Sequence, residues 1–436
     1  MMRSKIRRTM RSTILALAMT FPCAALAQSA PVVRLNLAEA EQIAQRNNPD
    51  LTVARLAAMA SREAYRESRS SLLPSATSNL TAVDTDNGNR ISAGALNNPV
   101  IYERAAYGAT VAQLITDFGH TKNTVAGARY RASAQQQLQL ASANQLRLAV
   151  DRAFYRALAA DSVLKVARQT VEARQTLAEQ VEALTQSKLR SLLDLSFART
   201  NLEQAHLMLL DAENQYSAEL AALSDLLGYA TPQAFQLVDA AAPPTAPPAD
   251  VAQLVDSALA QRPELKAQQL QLQAARKLQS AAWEQSLPSI RALGAVGQAP
   301  VRDPHITSWY GAVGVNVEIP IFTGFRINAQ SHEARLAAEA EDAHLTALRN
   351  SITRDVNTSW LAENTAYRRL SVTSALLEQA HLALDLSQTR YKLGLASIVE
   401  VSQAQLQATS AEIENARARY DCLLAEAVVR FETNAP

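Results

Sequence analysis

"YKLGLASIVEV", residues 391–401, contains Gly394, the single glycine after Gly324 in a tail of more than a hundred residues rich in Ala, Leu, Gln, Glu and Arg. Glycine is the least helix-favouring residue after proline, so its isolation marks one obligatory break in an otherwise helical run. Beyond the break, Ser397 and Glu400 stand as the N-cap and N3 residues of a capping box. The stretch therefore predicts a helical hairpin that reverses at Gly394.

The same pattern occurs earlier in the chain. "LASIVEVSQA" at 395–404 faces "LRSLLDLSFA" at 189–198, with Ser191 and Asp194 as the corresponding box and Lys188 in the place of the glycine. "NPDL" at 48–51 recurs as "RPEL" at 262–265, "LLPS" at 72–75 as "SLPS" at 286–289, and "ITDFG" at 115–119 faces "FTGFR" at 322–326. Matches in the same order, two at a spacing of 214 and the hairpin pair at 206, identify two copies of one unit of roughly 200 residues. The division is residues 28–239, a Pro/Ala linker "AAAPPTAPPAD" at 240–250, and residues 251–436.

Each copy predicts a short helix, then one that starts at Asn48-Pro49-Asp50 or its counterpart, where Asn caps and Pro suits the first position. Strand pairs follow at about 75–116 and 289–322, then long helices at 117–186 and 326–391, then return helices at 194–227 and 398–433. A helix of about 70 residues is on the order of 105 Å long. Neither shorter helix of a copy covers it alone, but the two stacked end to end nearly do. In the first return helix Leu195, Leu202, Leu209, Tyr216 and Leu223 recur at heptad spacing beside Ala198, Ala205 and Ala212. In the second, Leu406, Ile413 and Tyr420 form one line and Ala404, Ala411, Ala418 and Ala425 another, which predicts two helical neighbours.

The clearest strand has Val313, Val315, Val317, Ile319 and Ile321 alternating with small or polar residues, and Trp309, Tyr310 and Phe322 at its ends suit a membrane interface. Four strands per chain cannot close a membrane barrel, and open edges do not survive in lipid. Several chains are therefore expected to share one barrel. Residues 1–27 read as an export signal, with a basic start, an apolar centre and Ala25-Leu26-Ala27 before Gln28. Arg7-Arg8 lacks the apolar residues that follow a twin-arginine signal, and Pro22 before Cys23 argues against lipidation. Removing the segment takes the formal charge from +1 to −4, so nucleic acid is not an indicated partner, and leaves Cys422 as the lone cysteine.

Taken together, the export signal, the duplication, "NPDL" before "LLPS", "TDFG" opening a long helix, and "YKLG" before "SIVEVSQAQ" resemble the TolC-like outer membrane efflux family over essentially the whole exported chain. The resemblance implies a mostly α fold with a membrane β-barrel part: long coiled-coil helices forming a trimeric α-barrel tunnel, and four strands per protomer in a twelve-stranded barrel. It implies a homotrimer in the outer membrane of a Gram-negative bacterium, acting as a passive exit duct for an efflux or type I secretion system. Its partners would be a periplasmic adaptor, an inner-membrane pump and outer membrane lipid. It also implies that Gly394 and Lys188, with Ser191 and Ser397, form the hairpin turns at the periplasmic entrance. There Glu400 matches an acidic ring favouring cations, and the second acid of the family falls on Gln403. The family's entrance links join Tyr, Arg and Asp; Tyr391 and Asp194 match, the arginine position is Ala396, and Arg390 and Lys392 are candidates to replace it.

The alternative is a periplasmic adaptor or coiled-coil scaffold, which would show one hairpin between β-rich flanks rather than a duplicated one. The six histidines, at 120, 206, 305, 332, 344 and 381, lack metal-ligand spacing, and "LEQAHL" at 202 and 377 falls at non-equivalent places in the two copies. No nucleophile elbow, phosphate loop or zinc signature is present, so neither an enzyme nor a cofactor is expected.

Overall fold

The computed structural model describes residues 33–83, 92–93, 96–97, 104–240, 242–298 and 307–434. The export segment 1–27 with Cys23, and His305, lie outside the described residues. In chain order the elements are β1 (Val33–Leu35), α1 (Leu37–Asn47), α2 (Pro49–Ser70), β2 (Ser75–Val83), β3 (Ser92–Ala93), β4 (Leu96–Asn97), β5 (Arg104–Thr116), α3 (His120–Gln186) and α4 (Leu192–Leu226). There follow β6 (Phe235–Leu237), α5 (Val251–Gln261), α6 (Pro263–Glu284), β7 (Ser289–Gln298), β8 (Trp309–Glu318), α7 (Arg326–Lys392) and α8 (Ile398–Thr433).

The long helices α3 and α7 have 67 residues each. At 1.5 Å per residue that is about 100 Å, so packing must come from other helices laid along them rather than from a globular core. Near the sheet the wall runs α2, α3, α6, α7, and towards the far end it runs α4, α3, α8, α7. Two half-length helices thus share each long one, and both joints between them are tied. Asn48 caps α2, its Oδ1 accepting the N–H groups of Asp50 at 2.9 Å and Leu51 at 3.2 Å, with Pro49 at the first position. The Asn48 amide also donates to the Leu226 carbonyl at the end of α4, at 3.1 Å. In the second copy Arg262 holds the corresponding joint through a 2.6 Å ion pair with Glu432 of α8.

Four strands form one antiparallel sheet in the order β2, β5, β7, β8, from Ser75 opposite Ala112 to Gln298 opposite Trp309, with a register shift in β5 between Leu114 and Thr116 where it pairs with β7. Its two edges, β2 and β8, have no partner strand within the described chain. Val313 and Ile321 are each 94% exposed, which in a water-bathed protein would be an unfavourable display of apolar surface. No helix among the described residues is long and apolar enough to cross a membrane.

Midway down, β1 pairs parallel with β6 beside α1. Leu35, Phe154, Leu223, Leu227, Phe235 and Tyr420 form the largest buried cluster there, drawn from both copies. The helix α8 packs on α3 and α7, and its alanine line is the buried one: Ala404, Ala411 and Ala418 are covered. The companion line is not continuous, because Tyr420 is buried but Leu406 is 54% exposed. Small alanines let the helix axes approach closely, and that close fit turns Leu406 out of the seam.

Candidate functional site at the hairpin tips

The two hairpins end side by side, closed by a small apolar cluster of Ala178, Val181, Leu195, Ala198, Tyr391, Ile398 and Val401. Each turn has one residue in the left-handed region, Lys188 at φ 59° and Gly394 at φ 77°. The N–H groups that follow bond back into the helix end, Leu189 to the Leu184 carbonyl at 2.9 Å and Leu395 to the Arg390 carbonyl at 2.8 Å. The same turn is therefore made twice, once with a glycine and once with a lysine.

The return helices start differently. At Ser191 the capping box is complete: its hydroxyl accepts the Asp194 N–H at 3.1 Å and the Asp194 carboxylate accepts the Ser191 N–H at 3.2 Å. At Ser397 it is not. The Ser397 hydroxyl accepts the Glu400 N–H at 3.3 Å, but the Glu400 carboxylate pairs instead with Arg390 Nε, also at 3.3 Å. The expected box at Ser397 and Glu400 is thus half formed, because a cation one turn away on α7 competes for the carboxylate.

Tyr391 is buried, and its hydroxyl has no hydrogen-bond partner among the described residues. Burial pushes the pKa of that hydroxyl up, and the nearby Asp194 charge adds to the rise while Arg190 opposes it. Tyr391, Asp194, Arg390, Glu400, Gly394, Lys188, Ser191 and Ser397 therefore come together at one end of the molecule. Gln403 and Lys392 are exposed there without a tip contact that joins the hairpins.

The arginine that does join them is Arg190. From the first turn it donates to the Tyr391 carbonyl at 3.2 Å, and its guanidinium lies 4.3 Å from the centre of the Tyr391 ring. Sequence reasoning named Arg390 and Lys392 for this place and missed Arg190. The repeat alignment held the signal, since Arg190 stands opposite Ala396 in "LRSLLDLSFA" and "LASIVEVSQA".

A sequence model of the family described as outer membrane efflux protein matches residues 41–229 and 254–434. Outer membrane protein TolC of Vibrio cholerae serotype O1 is 25% identical over 405 residues, covering 89% of this chain and 88% of its own length. Among solved structures, outer membrane protein VceC of Vibrio cholerae is similar with a TM-score of 0.78 at 17% identity, covering 91% of this chain and 95% of its own. The open state of the Neisseria gonorrhoeae MtrE outer membrane channel gives 0.75 at 20% identity, with 91% and 88% covered. The family model thus matches both copies of the repeat, and each structural likeness covers 91% of this chain. By this match over most of its length, the chain belongs to the outer membrane efflux protein family.

Proposed function

We propose that this efflux channel protein works as a homotrimer: a passive duct whose strands close a twelve-stranded barrel in the outer membrane of a Gram-negative cell and whose helices continue it through the periplasm. The observation that carries the reading is a common edge order. On one edge of the protomer lie β2, α2 and α4, all from the first copy; on the other lie β8 and α7, both from the second. A single rotation that joins unlike edges at one level joins them at every level, which is the condition for a closed ring of identical subunits.

Strand direction supports the same assembly. Four alternating strands leave β8 of one copy antiparallel to β2 of the next, so the barrel closes without a mismatched pair. Unpaired strand edges are not tolerated in hydrocarbon. Two copies would give eight strands, and a barrel of about eight is filled by its own side chains, so three copies are the fewest that leave a bore. The exposed valines of β8 then face lipid. Division of the chain into residues 28–239 and 251–436 about the 240–250 linker accounts for the edge order, since each copy supplies one edge.

The entrance of the duct is the hairpin tip, with Tyr391, Asp194 and the Glu400 ring at the constriction. The duct is passive in this reading: an inner-membrane pump reached through a periplasmic adaptor drives transport, and that pump selects the cargo. Detergent extraction of the outer membrane fraction followed by mass measurement tests the assembly. A species of three mature chains is expected, and a soluble monomer overturns the reading in favour of a periplasmic scaffold. Crosslinking in cells followed by purification is expected to recover the adaptor and the pump.

A further inference from the structure

We infer that Gly108 and Gly297 form a seat that folds Tyr310 flat against the barrel wall, and that this seat sets the calibre of the outer mouth of the duct. The inference rests on the reading of the four-stranded sheet as one third of a membrane barrel. Alternation along β8 puts Val313, Val315 and Val317 on one face and Tyr310, Ala312, Gly314, Asn316 and Glu318 on the other, which in that barrel lines the bore. Thr77, Thr110, Ala295 and Ala312 make one row of small side chains across the bore face. The next row, further from the helices, is Asn79, Gly108, Gly297 and Tyr310. Tyr310 is the one aromatic residue of that face among the described residues, and it stands at the end of β8 away from α7.

The two glycines are what admit the ring. A Cβ built at Gly297 would come within 2.7 Å of the Tyr310 Cζ, and one built at Gly108 would overlap the Tyr310 Oη. The ring therefore crosses β7 and ends over β5, along its own row. Glycine inside a strand weakens it and marks a close approach, here that of a side chain. At Gly311 and Gly314 an added Cβ would meet nothing within 4 Å, so the crowding belongs to the Tyr310 row. The match to Tyr310-Gly311-Ala312 in the first copy is Tyr107-Gly108-Ala109, yet Tyr107 lies on the opposite face of the sheet. There its hydroxyl donates to Gln298 Oε1 at 2.7 Å and its ring meets Trp309 edge-on, 6.2 Å between centres. In a trimer three Tyr310 rings lie at one level of the bore. A ring held on the wall leaves the passage open, and a ring driven off it stands in the passage.

The test uses the full chain in intact cells, with Asn316→Cys as a reporter on the bore face. Asn316 lies on β8 between Tyr310 and the helices, about 20 Å deeper than the ring at 3.4 Å per residue. Cys422 is buried, and the chain without the reporter is the blank. Charged maleimides of increasing size that do not cross the membrane are added from outside. Labelling rates are read for N316C alone and combined with Gly108→Ala, Tyr310→Ala or both. Gly108 is the site of choice because, Tyr310 aside, a Cβ there meets nothing nearer than the Val296 carbonyl at 3.1 Å. At Gly297 it would strike the Tyr107 carbonyl at 2.6 Å and disturb the sheet itself. G108A is expected to slow the largest maleimide that enters the N316C parent about tenfold, and the smallest by less than about twofold. Adding Y310A is expected to restore the parent rate, and Y310A alone to keep it. A G108A chain that labels like the parent, or a double variant that stays slow, overturns the seat. So does a Y310A chain that admits larger maleimides than the parent, since the ring would then already narrow the mouth. If G108A does not reach the outer membrane, Tyr310→Trp takes its place: both glycines stay, the ring outgrows the seat, and labelling at the parent rate overturns it. Failure of the underlying reading looks different: N316C is labelled by no maleimide in intact cells but is labelled after lysis.

Discussion

The first hairpin, α3 with α4, and the second, α7 with α8, match in length but differ in what their seams bury. At equivalent positions α3 buries Ala153, Ala157, Ala167 and Val181, whereas α7 buries Ser359, Glu363, Thr373 and Ser387. The relation reverses where α3 buries Arg174 and α7 buries Ala380, and α3 also buries Asp151 and Thr170, whose counterparts Asn357 and Leu376 are not buried. The hydroxyls on α7 gain little across the seam: Ser359 and Ser387 donate to their own helix, at 3.0 Å and 2.9 Å. Thr373 also reaches α8, donating to Asn415 at 3.2 Å beside the exposed Ser374, which donates to the same oxygen at 3.1 Å. A buried hydroxyl that returns to its own backbone is satisfied without binding its neighbour. At these positions the second hairpin therefore seats polar side chains where the first seats apolar ones, and its cross-links lie instead at the rim of the seam, Arg369 with Glu414 at 2.8 Å and His381 with Glu412 at 2.7 Å.

The largest expected effect tests the most unfavourable of these residues. Glu363 is almost wholly buried, one carboxylate oxygen has no partner among the described residues, and it faces Glu426 and Cys422 of α8. Burial first, and then the Glu426 charge, raises its pKa from 4.5 to about 7. Between those values the folded chain holds a proton that the unfolded chain has released, so stability falls as pH rises through that window and the deficit is complete above it. Glu363→Gln is expected to stabilise the protein at pH 8 by on the order of 2–3 kcal/mol, and the gain should vanish towards pH 4.5. Thermal melts of the detergent-solubilised protein at both pH values check this. A gain independent of pH would mean that the carboxylate is paired in the assembly, and the contrast between seams would lose its main support.

Arg174 provides the converse test in the first hairpin. Its Nη1 donates to the Asn201 carbonyl at 2.9 Å, its Nε is buried without a partner among the described residues, and burial alone lowers its pKa. The Thr170 and Thr409 hydroxyls lie 3.4 Å apart where α3 meets α8. One turn further along that seam the Gln405 side-chain oxygen is also buried and unpartnered among the described residues. A buried charge without a counter-charge is replaced by an apolar group of similar size at no loss, and often at a gain of about 1–2 kcal/mol. Arg174→Met is thus expected to raise the melting temperature and to sharpen the difference between the hairpins. A fall in melting temperature would show that Arg174 is paired across the subunit boundary.

Much of this was legible in the sequence, for physical reasons. Runs without proline and with almost no glycine fixed the long helices, and alternation at Val313, Val315 and Val317 fixed β8, because both signals are local. Glu363 was not legible. It lies in "WLAENTAY", where the helix carries charged residues on several sides, and the buried side cannot be phased because α7 changes neighbours from α6 to α8 along its length. A seam that passes from one neighbour to another leaves no constant apolar face to read. Arg190 was hidden differently: it stands in a turn, and a turn residue gives no sign of which distant surface it will touch. The Ser397 box forms only in part because Ser and Glu at the right spacing license the cap but do not exclude a rival cation, and Arg390 lies seven residues before Ser397, outside that pattern.

The turns offer a smaller and paired test. Lys188 adopts the left-handed conformation that glycine takes at Gly394, at a cost of about 1 kcal/mol for a residue with a Cβ. Lys188→Gly is expected to stabilise and Gly394→Ala to destabilise, each by about 1 kcal/mol or less. A Cβ at Gly394 would meet nothing within 4 Å, so the cost there is conformational and not steric. Chemical denaturation of the two variants should give shifts of opposite sign.

The smallest effect separates the two caps. Ser191→Ala removes an accepted bond and leaves the reciprocal Asp194 contact without its anchor, a loss of about 1 kcal/mol. Ser397→Ala removes one longer bond and leaves the Glu400 pair with Arg390 untouched, so about half that loss is expected. Hydrogen exchange resolves the difference locally, since the N–H groups of residues 192–194 should lose more protection in S191A than those of 398–400 lose in S397A. Equal losses would mean that the Glu400 carboxylate serves the cap in solution, leaving Arg390 with its 3.4 Å bond to the Leu395 carbonyl, so that both return helices begin with the same complete capping box.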